Sequence, residues 1–154
     1  TMGLPPLLET PLKGDYVRRD LRRSLRFHGL KLSEDPIFTF SSITAARATL
    51  WVRDIASEKT EALVLSLYRA HWAERRNIAE AGTVLDIIAD LGLPRDKAAM
   101  ALQSDAIKTA LREEIASAIA AGVFGSPTAI VDGEMFWGSD RLDMVAKWLE
   151  TGGW

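Results

Sequence analysis

The chain has 154 residues, 47% of them apolar, and a net charge of −2; one compact domain with a sizeable core is expected, and general binding to polyanions is not. Zero cysteines exclude disulfides, thiolate nucleophiles and Cys-based metal or redox sites. No run of about eighteen uncharged apolar residues occurs and residues 1–30 carry arginines in place of an apolar signal core, so a cytoplasmic protein with neither membrane span nor secretory peptide is expected.

Residues 1–12 hold Pro5, Pro6 and Pro11. Each proline removes a backbone donor, which predicts an irregular lead-in. A helix is expected from about Leu12 to His28, burying Tyr16, Val17, Leu21 and Leu25 and stopping at Gly29. Charge is uneven here: Lys13, Arg18, Arg19, Arg22, Arg23 and Arg26 stand against Glu9, Asp15 and Asp20, six cations against three carboxylates and a local net of +3. Arg18, Arg22 and Arg26 lie four apart and share a face. With no aromatic stackers interleaved, that face reads as solvated and paired with nearby acids, and no nucleic-acid binding is expected.

Residues 30–42 read as a loop. Ala45, Ala48, Leu50, Trp51 and Ile55 fit a helix from Ser42 to about Ser57, and Leu63, Val64, Leu67, Tyr68 and Trp72 fit another from Thr60 to about Glu74, together an antiparallel helical hairpin. A fourth helix is expected over Thr83 to Asp90, ending at Gly92. A fifth starts with Pro94 in its first turn, and a sixth covers roughly Ser104 to Ala121. Strand signal is strong only near 128–137, and a last helix is expected from about Ser139 to Leu149.

The densest chemistry lies at the end of the chain. Gly125-Ser126-Pro127-Thr128 leads into Ala129-Ile130-Val131, then Asp132-Gly133, then Glu134 to Arg141. Asp132-Gly133 between two apolar segments predicts a tight hairpin, because glycine accepts the positive φ such turns need. A proline directly before a strand, if cis, turns the amide and carbonyl of the preceding residue outward, an edge that pairs with a peptide-like ligand. Gly138-Ser139-Asp140 opens the run Leu142, Val145, Ala146, Leu149, which places Ser139 or Asp140 at a helix N-terminus suited to a carboxylate. A two-stranded hairpin alone is marginal in water, so Ile130 and Val131 call for a partner surface.

The run Gly122-Val123-Phe124-Gly125-Ser126-Pro127-Thr128, with Asp132 to Leu142, resembles the glutathione-dependent 2-hydroxychromene-2-carboxylate isomerases and the related kappa-class glutathione transferases, a DsbA-like branch of the thioredoxin fold. Ala70-His71-Trp72, Asn77-Ile78, Val84-Leu85, Leu91-Gly92-Leu93, Lys13, Tyr16, Asp20 and Arg23 extend the resemblance more loosely. It implies an α/β, mostly helical single domain over 1–154, with a helical insertion over about 12–121 and the thioredoxin-fold hairpin and helix over about 122–154. The strand, helix and strand that open the family pattern, and complete its sheet, have no counterpart here.

What the resemblance implies for function is a cytoplasmic isomerase with glutathione as cofactor and a small aromatic substrate; the alternatives are a kappa-class-like transferase or a non-catalytic glutathione-binding module. Ser126 beside Pro127 would pair its backbone with the cysteinyl part of glutathione, and Trp137, Gly138, Ser139 and Asp140 would hold the γ-glutamyl end, with Asp140 on its ammonium. No position matches the family's thiolate-activating serine, because Ser41, Ser42 and Ser139 lie elsewhere in the pattern. Ser41 stands where the family more often has Asn.

Two histidines far apart and no cysteine argue against a transition-metal site. His71, beside Tyr68 and Trp72, reads as packed core, with proton transfer the minor alternative; His28, at a helix end, reads as a favourable partner of the dipole. Lys13, Tyr16 and Arg23 match recurring positions of the resembled family and read as structural, with a substrate-side role for Lys13 or Tyr16 the minor alternative. Trp51, Tyr68 and Trp72 give residues 43–75 more aromatic surface than one small bundle covers, and a homodimer through that region is expected.

Overall fold

A computed structural model describes residues 7–34 and 40–154; Pro5, Pro6 and part of the expected loop 30–42 lie outside them. Two compact units are distinguished, one reaching Lys108 and the other covering Thr109–Trp154. Helix α6 (Asp105–Ala120) runs through the division.

The first unit is helical: α1 (Lys13–Phe27), α2 (Ile43–Ile55), α3 (Thr60–Tyr68), α4 (Ala81–Asp90) and α5 (Arg95–Gln103). Its core is built from small and branched side chains at helical spacing. α2 supplies Ala45, Ala48 and Val52, α3 supplies Leu63 and Leu67, and α4 and α5 close over them with Val84, Ile88, Ala98 and Leu102. Burial of one such leucine or isoleucine contributes about 1.5–3 kcal/mol. Side chains also staple the elements together: Lys59 Nζ donates at 2.8 Å to Leu91 O at the end of α4, where carbonyls lack intrahelical partners, and Thr44 Oγ1 donates to Ala79 O in the turn before α4 at 3.3 Å.

Several expectations are corrected here. The proline-rich lead-in is not wholly irregular, since Leu7–Glu9 forms one 3-10 turn, a conformation short enough to fit between Pro6 and Pro11. Tyr16 is 61% exposed rather than buried, because among the described residues α1 packs chiefly on that turn and buries only Gly14. The arginine face is only partly paired. Arg18 meets Asp15 at 3.3 Å and Arg23 meets Asp20, both three residues apart, whereas Arg22 and Arg26 have arginines at the corresponding positions. Ile55 and Tyr68 face outward, and Pro94 precedes α5 instead of occupying its first turn.

The third helix runs to about Glu74 as expected, but its last turn is not α-helical. From Arg69 to Ala73 it widens into a π-helix, with Glu74 N donating to Arg69 O at 3.1 Å. The displaced carbonyl of Trp72 accepts from Ser33 N at 2.8 Å, which anchors the segment that follows α1.

In the second unit β1 (Thr128–Val131) and β2 (Glu134–Trp137) form an antiparallel pair in the register Thr128↔Trp137 to Val131↔Glu134. The turn is the expected one: Asp132 has φ 52° and Gly133 φ 86°, both positive as a two-residue I′ turn requires. α7 (Leu142–Thr151) packs on the hairpin. Its inward residues are Val145 and Trp148, not the expected Leu142 and Leu149, which stand exposed. Trp148 lies edge-on to Phe136 at 5.8 Å and donates from Nε1 to Asp132 Oδ2 at 3.1 Å, tying helix to turn. Among the described residues the sheet has two strands, and Ile130 remains half open to solvent.

Candidate functional site

The hairpin ladder gathers the residues singled out in the sequence at one end of the sheet. Thr128 pairs with Trp137, and one further bond, Gly138 N to Pro127 O at 2.9 Å, carries the ladder past the strands. Ser126-Pro127 is thereby fixed beside Gly138, Ser139 and Asp140. The Ser126–Pro127 peptide bond is cis. Ser126 is exposed, and among the described residues neither its amide nor its carbonyl has a hydrogen-bond partner. An open donor and acceptor on one residue at a strand end is a pairing point for another backbone.

Two devices hold this point in place. Thr128 Oγ1 donates to Gly125 O at 2.6 Å, and the Trp137 indole lies so close over Gly125 that any side chain there would overlap it. Trp137 is 54% exposed and leans on Phe124 at 5.0 Å. Sequence reasoning gave Phe124 no role; its signal was the aromatic just ahead of the Gly-Ser-Pro run.

Beyond the ladder Gly138 takes φ 109°, a conformation open to glycine. A 3-10 turn, Ser139–Arg141, follows, in which Arg141 N donates to Gly138 O at 3.2 Å. This corrects the expected cap. α7 begins only at Leu142, and neither Ser139 nor Asp140 makes a side-chain cap bond, because the tighter turn already satisfies the amide that a cap would serve. The Asp140 carboxylate folds back over Gly138 and accepts from Arg141 Nη1 at 2.8 Å, with 73% of the Asp140 side chain exposed. Sequence reasoning gave Asp140 a ligand role and left Arg141, its neighbour in sequence, without one.

Chemically the cluster offers an unpaired backbone donor and acceptor, an indole face, a hydroxyl and a charged pair of opposite signs. These suit a peptide-like molecule with an amino-acid head group, through strand-like pairing at one end and charge-assisted bonds at the other.

The remaining candidates lie in the helical unit. His71, on the π-helix, is fully buried, its ring 3.8 Å from Phe40 and 4.9 Å from Trp72; it is a packed core residue. Arg23 reaches Asp20 and, at 3.3 Å, the Tyr16 hydroxyl, and those hydrogen bonds, Asp20 first, push its guanidinium pKa up. Tyr16 and Arg23 thus support each other along α1. Ser41 Oγ accepts from Ile43 N at 3.5 Å ahead of α2. Among the described residues no three His, Asp or Glu side chains gather as a metal site, and no helix is long and apolar enough to cross a membrane.

A mostly helical chain that closes with a β-hairpin and a C-terminal helix has the element order of the thioredoxin-like class. The chain belongs, specifically, to the DSBA-like thioredoxin domain family, whose model matches residues 1–150. It is similar to the 2-hydroxychromene-2-carboxylate isomerase of Sphingobium xenophagum, 30% identical over 102 residues that cover 66% of this chain and 51% of that protein. It is likewise similar to glutathione S-transferase kappa 2 of Caenorhabditis elegans, 30% identical over 159 residues covering 96% of this chain and 70% of that one. A solved 2-hydroxychromene-2-carboxylate isomerase superposes with a TM-score of 0.85 at 26% identity, over 96% of this chain and 71% of that chain. The chain therefore spans about half the length of the Sphingobium relative. The family expected from the C-terminal motif is the one found, and the chain is related to isomerase and transferase enzymes.

Proposed function

We propose that this chain carries the glutathione-binding cradle of a glutathione-dependent isomerase of the 2-hydroxychromene-2-carboxylate isomerase type, acting in the cytoplasm on a small aromatic compound that bears a carboxylate. The observation that carries the reading is the exposed, unpaired backbone of Ser126 held one ladder bond away from the Gly138–Asp140 turn.

The residues fit glutathione. Ser126 pairs its open amide and carbonyl with the cysteinyl backbone, Asp140 accepts from the γ-glutamyl ammonium, and Ser139 with the amides of its turn meets the α-carboxylate. Arg141, already paired with Asp140, gives that zwitterionic head a cation beside the anion. Trp137 and Pro127 wall the cradle, and Gly138 keeps the turn close to the ligand. Bound glutathione supplies a thiol nucleophile for addition to a conjugated carbon of the substrate, followed by bond rotation and release. No serine of this chain is assigned to activate that thiol. A kappa-class-like transferase is the second reading, favoured by the Caenorhabditis elegans relative that spans nearly all of the chain; a binding module without catalysis is the third.

The test is calorimetric titration of glutathione into the chain and into Asp140→Asn. Loss of a charge-assisted contact weakens binding by about ten- to a hundredfold, from about 1.5–3 kcal/mol, while stability changes little because Asp140 makes no cap bond. Equal affinities, or no binding to the parent chain, refute the cradle. Turnover of 2-hydroxychromene-2-carboxylate, against conjugation of glutathione to an aryl halide, separates isomerase from transferase.

A further inference from the structure

A groove of about 400 Å³ opens on the helical unit, a volume within the usual range of small-molecule sites. One wall is apolar: Leu21 and Leu25 of α1 face it together with Leu30 and Leu32 of the segment that follows. The rim is cationic, with Arg18, Arg22 and Arg26, and Glu34 is the acidic residue lining it. Among the described residues the lining sets three guanidiniums against one carboxylate and is net positive.

The arginines are not equivalent. Arg18 is engaged by Asp15 at 3.3 Å and by Leu8 O at 2.9 Å. The side chains of Arg22 and Arg26 have no ion pair or hydrogen bond among the described residues. Four apart on one helix, their Cβ atoms stand about 5–6 Å from each other, so both guanidiniums reach one anionic group. Ser33 lines the same groove, its backbone pinned by the bond to Trp72 O.

We propose that this groove binds an amphipathic organic monoanion, a carboxylate on an apolar body, with its charge between Arg22 and Arg26 and its apolar part along the leucines. The leucine wall calls for more than a bare anion, and the unpaired guanidiniums call for more than a neutral hydrocarbon. Among the described residues the groove lining holds none of the aromatic stackers that single-stranded nucleic acid uses. This site does not depend on the glutathione reading, since every residue of it lies in the helical unit and every cradle residue lies beyond Thr109.

The test uses the whole chain and three probes, octanoate, octanol and acetate, followed by calorimetry. Octanoate binds, while octanol, which lacks the charge, and acetate, which lacks the body, bind at least about tenfold more weakly. Arg22→Gln with Arg26→Gln lowers octanoate affinity by about tenfold or more, the loss of a charge-assisted contact. Both residues are exposed, so the fold is retained and is checked by circular dichroism. Asp140→Asn leaves octanoate binding unchanged, which keeps this outcome separate from the cradle's. The proposal is overturned if octanoate fails to bind, if octanol binds as well, if the double variant binds unchanged, or if an oligonucleotide alone binds with steep salt dependence.

Discussion

Replacing Gly138 by alanine tests the turn on which the candidate site depends. Gly138 has φ 109° and ψ 150°, a region essentially reserved to glycine, and holding another residue there costs on the order of 1–3 kcal/mol. A Cβ would also overlap the Asp140 carboxylate, forcing it away from Arg141. That exposed pair is worth about 0–1 kcal/mol, so the backbone component dominates. At about 2–4 °C per kcal/mol for a chain of this size, Gly138→Ala lowers the melting temperature, read by circular dichroism, by several degrees. Gly133→Ala is the matched control: φ is 86°, but nothing lies within 4 Å of the added Cβ, leaving a backbone cost of about 1–2 kcal/mol alone. Repeating Gly138→Ala in an Asp140→Ala background removes the overlap and keeps the conformational cost, so only a small part of the loss returns. A variant as stable as the parent, or full recovery in that background, refutes the reasoning.

Trp148→Phe removes the donor to Asp132 and costs about 0.5–1.5 kcal/mol in urea denaturation, whereas Asp132→Asn keeps an acceptor and tolerates the positive φ, and costs much less. Leu63→Ala, at a fully buried position between helices, costs about 2–5 kcal/mol; a loss under about 1 kcal/mol would remove Leu63 from the core. We propose that the chain dimerises through residues 43–75: of the aromatics expected to lie uncovered there, Trp51 packs on the core and Trp72 on Phe40 and His71, but Tyr68 is 60% exposed, with Leu65 at 58%. Light scattering then gives twice the chain mass for the parent and the single-chain mass for Leu65→Glu with Tyr68→Glu, and a monomeric parent at micromolar concentration contradicts the interface.

How much the sequence revealed depends on how local the determining physics is. Asp132-Gly133 specified its turn and register outright, because two adjacent residues with positive φ leave few other hairpins. The Ser126–Asp140 cluster was legible as an ordered motif. Its internal wiring was not, since the bond from Gly138 to Pro127 and the indole over Gly125 join residues that only the ladder brings together. Tyr16 was misplaced because periodicity finds a stripe without revealing what lies opposite it, and the tyrosine turned to Arg23 instead of a core. Leu142 and Leu149 misled for the same reason, with Trp148 taking the inward place on α7. The end of that helix was set two residues short although Gly152, at φ 72°, marked it plainly.

The widened turn from Arg69 to Ala73 bears on how relatives of this chain are aligned. A π-turn accommodates one residue more than the α-helix it interrupts, so a relative with a straight helix there would carry one residue fewer between Tyr68 and Glu74. The difference would surface as a single-position gap inside a helix, where alignments otherwise avoid gaps. Closing that gap to smooth the alignment would shift His71 and Trp72 by about 100° around the axis and assign the buried ring to the wrong column. The anchor from Ser33 to Trp72 O gives an independent landmark. It is made by backbone atoms, so it persists through any residue at position 33 that keeps its N–H, and proline is the substitution whose appearance there would signal that the segment has let go.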